Sequence, residues 1–113
     1  RQVSHLVPHT GCMGHPGQSL CAWASSDQTG ISMKVYTTQP GVQLYTANFL
    51  QDCPAPGKGG IPMQKYGGFA LETQHFPCSP SHPEFPSTVL RAGKVFRANT
   101  TLRFFTGKQC GKL

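Results

Sequence analysis

Alternation of apolar and polar residues is clearest in the middle of the chain. In residues 31–37 and 42–46, successive side chains would point to opposite faces, which predicts two strands with one face turned to water. The intervening residues 39–41 combine glutamine, proline and glycine and predict a turn. We therefore expect these two strands to pair as a hairpin. A further apolar run at residues 69–74 predicts another strand.

Two more strands are predicted later in the chain, a short one at residues 88–91 and a longer one at residues 94–105, separated by a turn at Ala92 and Gly93. Residues 52–60 and 77–86 are rich in proline or glycine and have no apolar periodicity. We expect both segments to be exposed, irregular loops.

The pattern divides the chain into three parts. Residues 1–30 crowd glycine, proline and histidine together and are expected to be mostly loop, although residues 20–24 are more periodic. Residues 31–105 hold the predicted strands, and residues 106–113 are expected to form a tail. Short strands separated by glycine and proline turns predict an all-β fold, with an antiparallel sheet or β-sandwich. The chain begins with Arg1 and not with methionine, which indicates processing, an expression boundary or a fragment of something longer.

Composition narrows the classes of partner. The formal net charge of +6 would suit an anionic partner, but the basic residues are scattered singly, so nucleic acid is not expected and a solvated basic surface is preferred. No apolar stretch is long enough to span a bilayer, so no membrane association is expected. The 5 cysteines are an odd number without regular spacing. Reduced thiols in a cytoplasmic protein fit this pattern better than a disulfide framework.

Two clusters of reactive side chains point only weakly to chemistry. His9, Cys12 and His15 are residue types that bind zinc, but the paired spacings of structural zinc sites do not occur, so no metal is predicted. Cys78 lies three residues from His75, yet neither a helix N-terminus nor a basic cluster is predicted beside it. A structural role for this thiol is preferred over nucleophilic catalysis.

Glu72 is one of only 4 acidic residues and lies within the apolar run at residues 69–74. A carboxylate that is desolvated in such a run has a raised pKa and can exchange protons near neutral pH. In a strand, Glu72 and Gln74 would share one face, and Gln43 would join them if the two strands are neighbours. Together they offer donors and acceptors to a hydroxyl-rich ligand such as a sugar.

Several motifs, in order along the chain, resemble the C-terminal part of the aldose 1-epimerase family, the galactose mutarotases. The motifs are Val-Tyr-Thr-Thr-Gln-Pro-Gly-Val-Gln-Leu-Tyr-Thr-Ala-Asn-Phe-Leu at residues 35–50, Gly-Lys-Gly-Gly at 57–60, the segment 68–77 around Leu-Glu-Thr-Gln, and Ser-His-Pro-Glu-Phe-Pro-Ser at 81–87. The resemblance runs from about Ser32 to Phe105. It implies a large antiparallel β-sandwich, the galactose mutarotase-like supersandwich, of which this chain is a C-terminal portion.

The resemblance also implies an activity and two site residues. Members of the family are cytosolic enzymes that interconvert the α and β anomers of galactose and glucose without a cofactor. By this resemblance Glu72, in the Leu-Glu-Thr-Gln motif, is the general base that removes the proton from the anomeric hydroxyl, while Gln43 holds sugar hydroxyls. A histidine serves as the general acid on the ring oxygen.

The chain departs from the family pattern in ways that bear on activity. The family's catalytic histidines lie upstream of the matching region, Ser4 and His5 stand where the family has an aspartate and a histidine, and Cys78 replaces a common aspartate. No role is therefore assigned to the five histidines, His5, His9, His15, His75 and His82. We expect the chain alone to be inactive, and to self-associate or be complemented by a missing N-terminal part. The alternative is a non-catalytic carbohydrate-binding or interaction module with this fold.

Overall fold

The computed structural model describes residues 17–106, and this part of the chain is built from strands. Short 3-10 turns at Leu50–Asp52, Lys58–Gly60 and Ser79–Ser81 are its only helical elements. The predicted all-β class is confirmed. The five strands are β1 at Ser19–Ser25, β2 at Ile31–Thr37, β3 at Gly41–Tyr45, β4 at Ala70–Gln74 and β5 at Thr100–Thr106.

The strands form two antiparallel sheets. Sheet A has the order β1-β2-β5, and sheet B consists of β3 and β4. The predicted hairpin between residues 31–37 and 42–46 is therefore wrong, although both strands exist. Both edges of β2 are already paired, with β1 on one side and β5 on the other, so the chain crosses at residues 38–40 into the other sheet. The backbone N–H of Thr38 donates to Asn99 O at 3.0 Å at the start of this crossing.

Strand β1 was not predicted, because residues 1–30 were expected to be mostly loop. It pairs with β2 through a tight turn at residues 26–30, in which the N–H of Gly30 donates to Ser26 O at 2.8 Å and the N–H of Ser26 donates to Ile31 O at 2.9 Å. Gly30 has φ of 68°, in the left-handed region that glycine enters without steric cost. The remaining N-terminal residues, 1–16, and the predicted tail from residue 107 lie outside the described residues.

The predictions for residues 88–105 were only partly correct. Residues 88–91 form no strand, and the long strand predicted at 94–105 begins only at Thr100. The side chains of residues 86–100 are exposed, and a strand needs a neighbour with which its backbone can pair. The predicted turn is confirmed, since the N–H of Lys94 donates to Arg91 O at 3.0 Å. Residues 52–60 and 77–86 contain no strand, in keeping with the predicted loops.

The hydrophobic core lies between the two sheets and is small. Cys21 of β1, Val35 of β2 and Val42 of β3 are buried against one another, with Val35 only 1% exposed. Partly buried Met33 and Leu71 pack around this cluster. Because Val35 and Val42 belong to different sheets, their contact is what makes this part of the chain a two-layer structure.

A chain of three threonine hydroxyls joins the sheets beside the core. The Thr73 Oγ1 of β4 lies 2.7 Å from the Thr100 Oγ1 of β5, which lies 3.1 Å from the Thr37 Oγ1 of β2. Thr37 is fully buried; its hydroxyl donates to Asn99 O and accepts from the N–H of Gln39. A buried hydroxyl is costly unless it is hydrogen-bonded, so this network fixes how the strands meet.

Candidate functional site

Gln43 and Glu72 lie opposite each other on the two strands of sheet B, where their Cα atoms are register partners. The condition for grouping these two residues, that their strands are neighbours, is met. Leu71 packs on the core and the Thr73 hydroxyl reaches β5, so these two residues face sheet A. Since side chains alternate along a strand, Glu72 and Gln74 point to the outer face of sheet B, with Gln43 beside them.

An aromatic side chain covers one end of this outer face. A Cβ atom at Gly41, the register partner of Gln74, would lie 2.8 Å from Cε1 of Phe76. That distance is shorter than carbon atoms can approach without movement, so the ring of Phe76 packs directly on the Gly41 backbone. Glycine at this position allows the aromatic ring to lie against the strand next to Gln43.

A second aromatic residue stands at the other end. Tyr45 lies two residues beyond Gln43 on β3, and its hydroxyl accepts a hydrogen bond from the N–H of Phe49 at 3.2 Å. By strand alternation it belongs to the same face as Gln43. The outer face of sheet B thus carries a carboxylate and an amide between two aromatic rings. Most ligand sites combine a few polar groups with apolar and aromatic walls in this way.

Neither aromatic residue was identified from the sequence. Tyr45 could have been found, because a spacing of two from Gln43 on a predicted strand places both side chains on one face. Phe76 lies beyond the end of β4, and its packing on Gly41 depends on how residues 75 and 76 turn back over the strand. Strand periodicity carries no such information.

The Glu72 side chain is exposed in the part of the chain that the structure describes. The prediction that the apolar run around Glu72 removes its carboxylate from water is therefore wrong. The apolar neighbour Leu71 faces the core, and residues 17–106 place no second layer over the outer face. Within residues 17–106, the Glu72 carboxylate forms no salt bridge. The carboxylate oxygens are accessible to the hydrogen-bond donors of a ligand.

A cavity of about 430 Å³ lies at another place, where the crossing from β2 to β3 meets the chain before β5. His75, whose ring centroid lies 6.3 Å from that of Phe96, forms part of its wall together with Arg97. Neither Gln43 nor Glu72 lines this cavity. The residues that the sequence nominated are therefore at the sheet face and not in the cavity.

His82 belongs to the loop that carries Phe76 toward the outer face. Its Nδ1 lies 2.8 Å from Oε1 of Glu84, and its ring stacks on Phe85 with centroids 4.8 Å apart. Phe85 in turn meets the edge of Phe76 at a centroid distance of 5.0 Å. These contacts fix the loop that positions the aromatic wall of the site.

The cysteines of the described chain are free thiols, Cys21 buried and Cys53 and Cys78 exposed. Burial raises the pKa of the Cys21 thiol, while a backbone hydrogen bond acts in the opposite direction. Cys78 has φ of 60°, a left-handed conformation that Asp and Asn adopt more readily than most residues.

Neither a metal site nor a membrane-spanning helix occurs between residues 17 and 106. Within that range, no three His, Cys, Asp or Glu side chains cluster closely enough to hold a metal ion. His9, Cys12 and His15, the weak zinc candidates, lie outside that range. The same residues contain no helix with the length and apolar character to cross a bilayer.

A comparison with protein families decides the membership. The family described as "Aldose 1-epimerase" matches residues 8–103, which includes both sheet strands that carry Gln43 and Glu72. The chain belongs to the aldose 1-epimerase family. The matched range begins well before Ser32, where the motif resemblance started, and includes β1.

Individual relatives agree with this membership. The chain is 40% identical to galactose mutarotase of Rattus norvegicus over 101 residues, covering 88% of this chain and 29% of the relative. It is 41% identical to galactose mutarotase of Homo sapiens over 85% of this chain and 28% of the relative. Aldose 1-epimerase of Escherichia coli (strain K12) is 37% identical over 78% of this chain and 25% of the relative. The chain therefore spans less than a third of the length of these relatives.

Proposed function

We propose that this chain carries the catalytic-base portion of an aldose 1-epimerase, with Glu72 as the general base and Gln43 as a sugar-binding residue. The observation that supports the proposal best is the register of sheet B, which pairs Gln43 with Glu72 on an open face. The names of the relatives, galactose mutarotase and aldose 1-epimerase, indicate the substrate class. The proposed reaction interconverts the α and β anomers of galactose or glucose, in the cytoplasm.

In the proposed mechanism, the sugar lies on the outer face of sheet B. The Glu72 carboxylate accepts the proton of the anomeric hydroxyl as an acid protonates the ring oxygen, so the C1–O5 bond breaks and an open-chain aldehyde forms. Rotation about C1–C2 presents the other face of the aldehyde, and the reverse proton transfers close the ring. The reaction transfers protons and breaks and re-forms the C1–O5 bond without a net oxidation or reduction, so this mechanism uses no cofactor. Each positioned proton transfer contributes roughly 10²–10⁴-fold to the rate.

The surroundings of Glu72 suit this role. Gln43 offers an amide N–H₂ and a carbonyl oxygen to sugar hydroxyls directly beside the carboxylate. Tyr45 and Phe76 bound the face on either side and limit where a sugar ring can lie. The exposure of Glu72 supplies the access that a substrate hydroxyl needs. The general acid is not among the residues to which the family resemblance gives a role, so we propose that the chain alone does not turn over.

The test is mutarotation of α-D-galactose, followed by polarimetry. The 113-residue chain would be assayed alone and also joined, as one polypeptide, to the part of rat galactose mutarotase that the match does not cover. We expect activity only from the joined protein, and Glu72→Gln should lower it about 10²–10⁴-fold. Asp27→Asn is the matched control, because Asp27 is an exposed carboxylate in the turn between β1 and β2 and has no place in the proposed site. A joined protein in which both variants keep full activity would show that Glu72 is not the base.

A second candidate function is sugar binding without turnover. It is favoured by the same exposed pair of Gln43 and Glu72, which can hold hydroxyls whether or not an acid is supplied. Galactose titration followed by amide NMR shifts would detect binding at residues of β3 and β4. Binding together with an inactive joined protein would favour this alternative over the enzyme.

A further inference from the structure

The ring of Phe76 reaches back across the end of sheet B and lies on β3. Phe76 follows β4 by two residues, yet its Cε1 and Cδ1 would lie 2.8 and 3.0 Å from a Cβ atom at Gly41. The ring therefore occupies the place that a side chain at position 41 would have. Same-face positions along a strand lie about 7 Å apart, so Gln43 is the next side chain on that face.

The Gln43 side chain depends on packing for its orientation. Within residues 17–106, no hydrogen bond to the protein holds its amide. Tyr45, the next residue on the same face, is held by the hydrogen bond that its hydroxyl accepts from the N–H of Phe49. Gln43 is half-buried, although its register partner Glu72 is exposed. Aromatic rings on both sides along β3 thus limit the rotamers of this amide.

The Phe76 ring is itself held by the loop that follows it. The Phe76 carbonyl accepts hydrogen bonds from both the hydroxyl and the N–H of buried Ser79, at 2.6 and 3.3 Å. The rings of Phe76 and Phe85 pack edge to face with centroids 5.0 Å apart, and Phe85 stacks on His82 at 4.8 Å. All of these contacts lie within residues 76–85, so this loop holds the ring by itself.

The backbone of the same loop has little freedom. Every third residue from 77 to 86 is proline, and each proline fixes its own φ. The N–H of Ser81 donates to Cys78 O at 2.9 Å, and the N–H of His82 donates to Ser79 O at 3.1 Å. A loop that is rich in proline and hydrogen-bonded within itself keeps the Phe76 ring in one place. Precise sites are built on supports of this kind.

We propose that Phe76 is a positioning residue for the sugar site, because it holds the Gln43 amide in the orientation that faces the sugar beside the Glu72 carboxylate. This inference rests on the proposed function, from which it takes the roles of Gln43 and Glu72. Phe76 acts through Gln43 and touches no reacting atom. Misplacing a group that holds the substrate slows a reaction even where the reacting groups are intact. Loss of the ring should therefore affect sugar binding more than proton transfer at Glu72.

The kinetic test uses the joined protein that contains the uncovered part of rat galactose mutarotase, and polarimetry gives kcat and KM for α-D-galactose. Phe76→Ala should raise KM about threefold to tenfold, the worth of one hydrogen bond between neutral groups, with kcat changed by less than about twofold. Phe76→Tyr keeps the ring and should keep the KM of the unchanged protein. Phe105→Ala is the matched truncation on the face of sheet A turned away from sheet B, and it should leave KM unchanged.

A double-mutant cycle separates positioning from general destabilisation. Phe76→Ala should add little to the KM of Gln43→Ala, because the group that the ring orients is already gone. Equal fold-changes in KM with and without the Gln43 side chain would overturn the proposal. The proposed function fails on a different result, full activity of Glu72→Gln, so the two failures are distinguishable.

A spectroscopic test needs no activity. In the 113-residue chain, three-bond NMR couplings across χ1 of Gln43 should report one rotamer, and Phe76→Ala should give the averaged values of several rotamers. Phe105→Ala should leave the couplings unchanged. Identical Gln43 couplings in the unchanged chain and in Phe76→Ala would overturn the proposal, whether or not the joined protein is active. If Phe76→Ala does not fold, Phe85→Leu replaces it in both tests, because it removes the edge-to-face contact and keeps Phe76.

Discussion

Strands β2 and β5 lie side by side in sheet A, but they are buried to very different degrees. Three consecutive residues of β2, at positions 35–37, are buried, whereas no residue of β5 is. Each strand contains an apolar–polar–apolar stretch, Met33 to Val35 in β2 and Leu102 to Phe104 in β5, and the two are paired to each other through their backbones. The difference is that β1 and sheet B cover β2, while β5 has only one neighbour within residues 17–106.

This comparison separates two contributions to the fold. Backbone pairing gives β5 its place in the sheet, but burial of apolar area supplies most of the favourable free energy of folding. The stability of the chain on its own should therefore come from the region around Val35. Substitutions at paired positions of β2 and β5 should therefore change the free energy of unfolding by very different amounts.

The largest expected effect is at the centre of the core. Val35→Ala should lower the free energy of unfolding by about 2 kcal/mol, because it removes buried methyl groups and leaves a cavity. Its register partner offers the contrast: Leu102→Ala removes more carbon atoms, yet it should cost less than about 0.5 kcal/mol in the chain alone because Leu102 is 52% exposed. Urea unfolding followed by circular dichroism measures both. Equal losses would mean that β5 is covered in solution.

The next effect concerns Gly41, whose backbone is covered by the ring of Phe76. Gly41→Ala places a methyl group 2.8 Å from a ring carbon, so it should cost about 1–3 kcal/mol through displacement of the ring. Gly68→Ala is the matched control, because a Cβ there meets open space and its φ is not positive. If the two variants unfold at the same urea concentration, the packing of Phe76 on the strand is not a stabilising contact.

A smaller effect is expected from the threonine network that ties β5 to the covered region. Thr100→Val removes a hydroxyl that contacts both Thr37 and Thr73, and it should cost about 1 kcal/mol. Thr106→Val, at the other end of the same strand and exposed, should be close to neutral. A double substitution with Thr73→Val should cost less than the sum of the single changes, since both remove the same hydrogen bond. Strict additivity in the double-mutant cycle would contradict the network.

The smallest effect is in the pH dependence. Burial raises the pKa of Cys21, so folding disfavours the thiolate. The stability that this neutral thiol contributes is fully present below the pKa of the unfolded thiol, about 8.5, and is lost as the pH rises through the higher folded value. The urea concentration at the midpoint of unfolding should therefore decrease slightly as the pH is raised above that value.

The thiols of exposed cysteines provide the control for this titration. Cys53→Ser should leave the alkaline decrease in the midpoint unchanged, because Cys53 is exposed. Peptide mapping after brief alkylation should find Cys53 and Cys78 modified and Cys21 protected. Rapid alkylation of Cys21 in the folded chain would show that the core around Val35 is open.

The sequence was sufficient for the strands that carry the site. Local alternation predicted β2, β3 and β4 to within about a residue at each end, and the pairing of Gln43 with Glu72 followed once β3 and β4 became neighbours. Prediction from the local pattern failed where the structure depends on residues that are distant in the sequence. β1 lies among glycines and prolines that suggested a loop, and it forms because β2 offers an edge.

The exposure of Glu72 could not be predicted from the local sequence for the same reason. An apolar run indicates that one face of a strand is buried, but it does not state which residues cover the other face. Here Leu71 is packed and Glu72 is exposed, although they are adjacent in sequence. Likewise, the apolar pattern of residues 88–105 predicted two strands. Most of these side chains are exposed in the described chain, and a strand forms only from Thr100 onward.

The strand order of sheet A also sets an order of events in folding. The turn at residues 26–30 brings β1 and β2 together over a short loop, whereas the hydroxyl contact between Thr37 and Thr100 spans 63 positions. Closing the longer loop costs about 2 kcal/mol more in chain entropy. We expect the β1–β2 hairpin to form early and to wait, with one edge of β2 unpaired, until β5 arrives. A slow refolding phase in which amide protons of β5 gain protection after those of β1 would be the kinetic signature of that order.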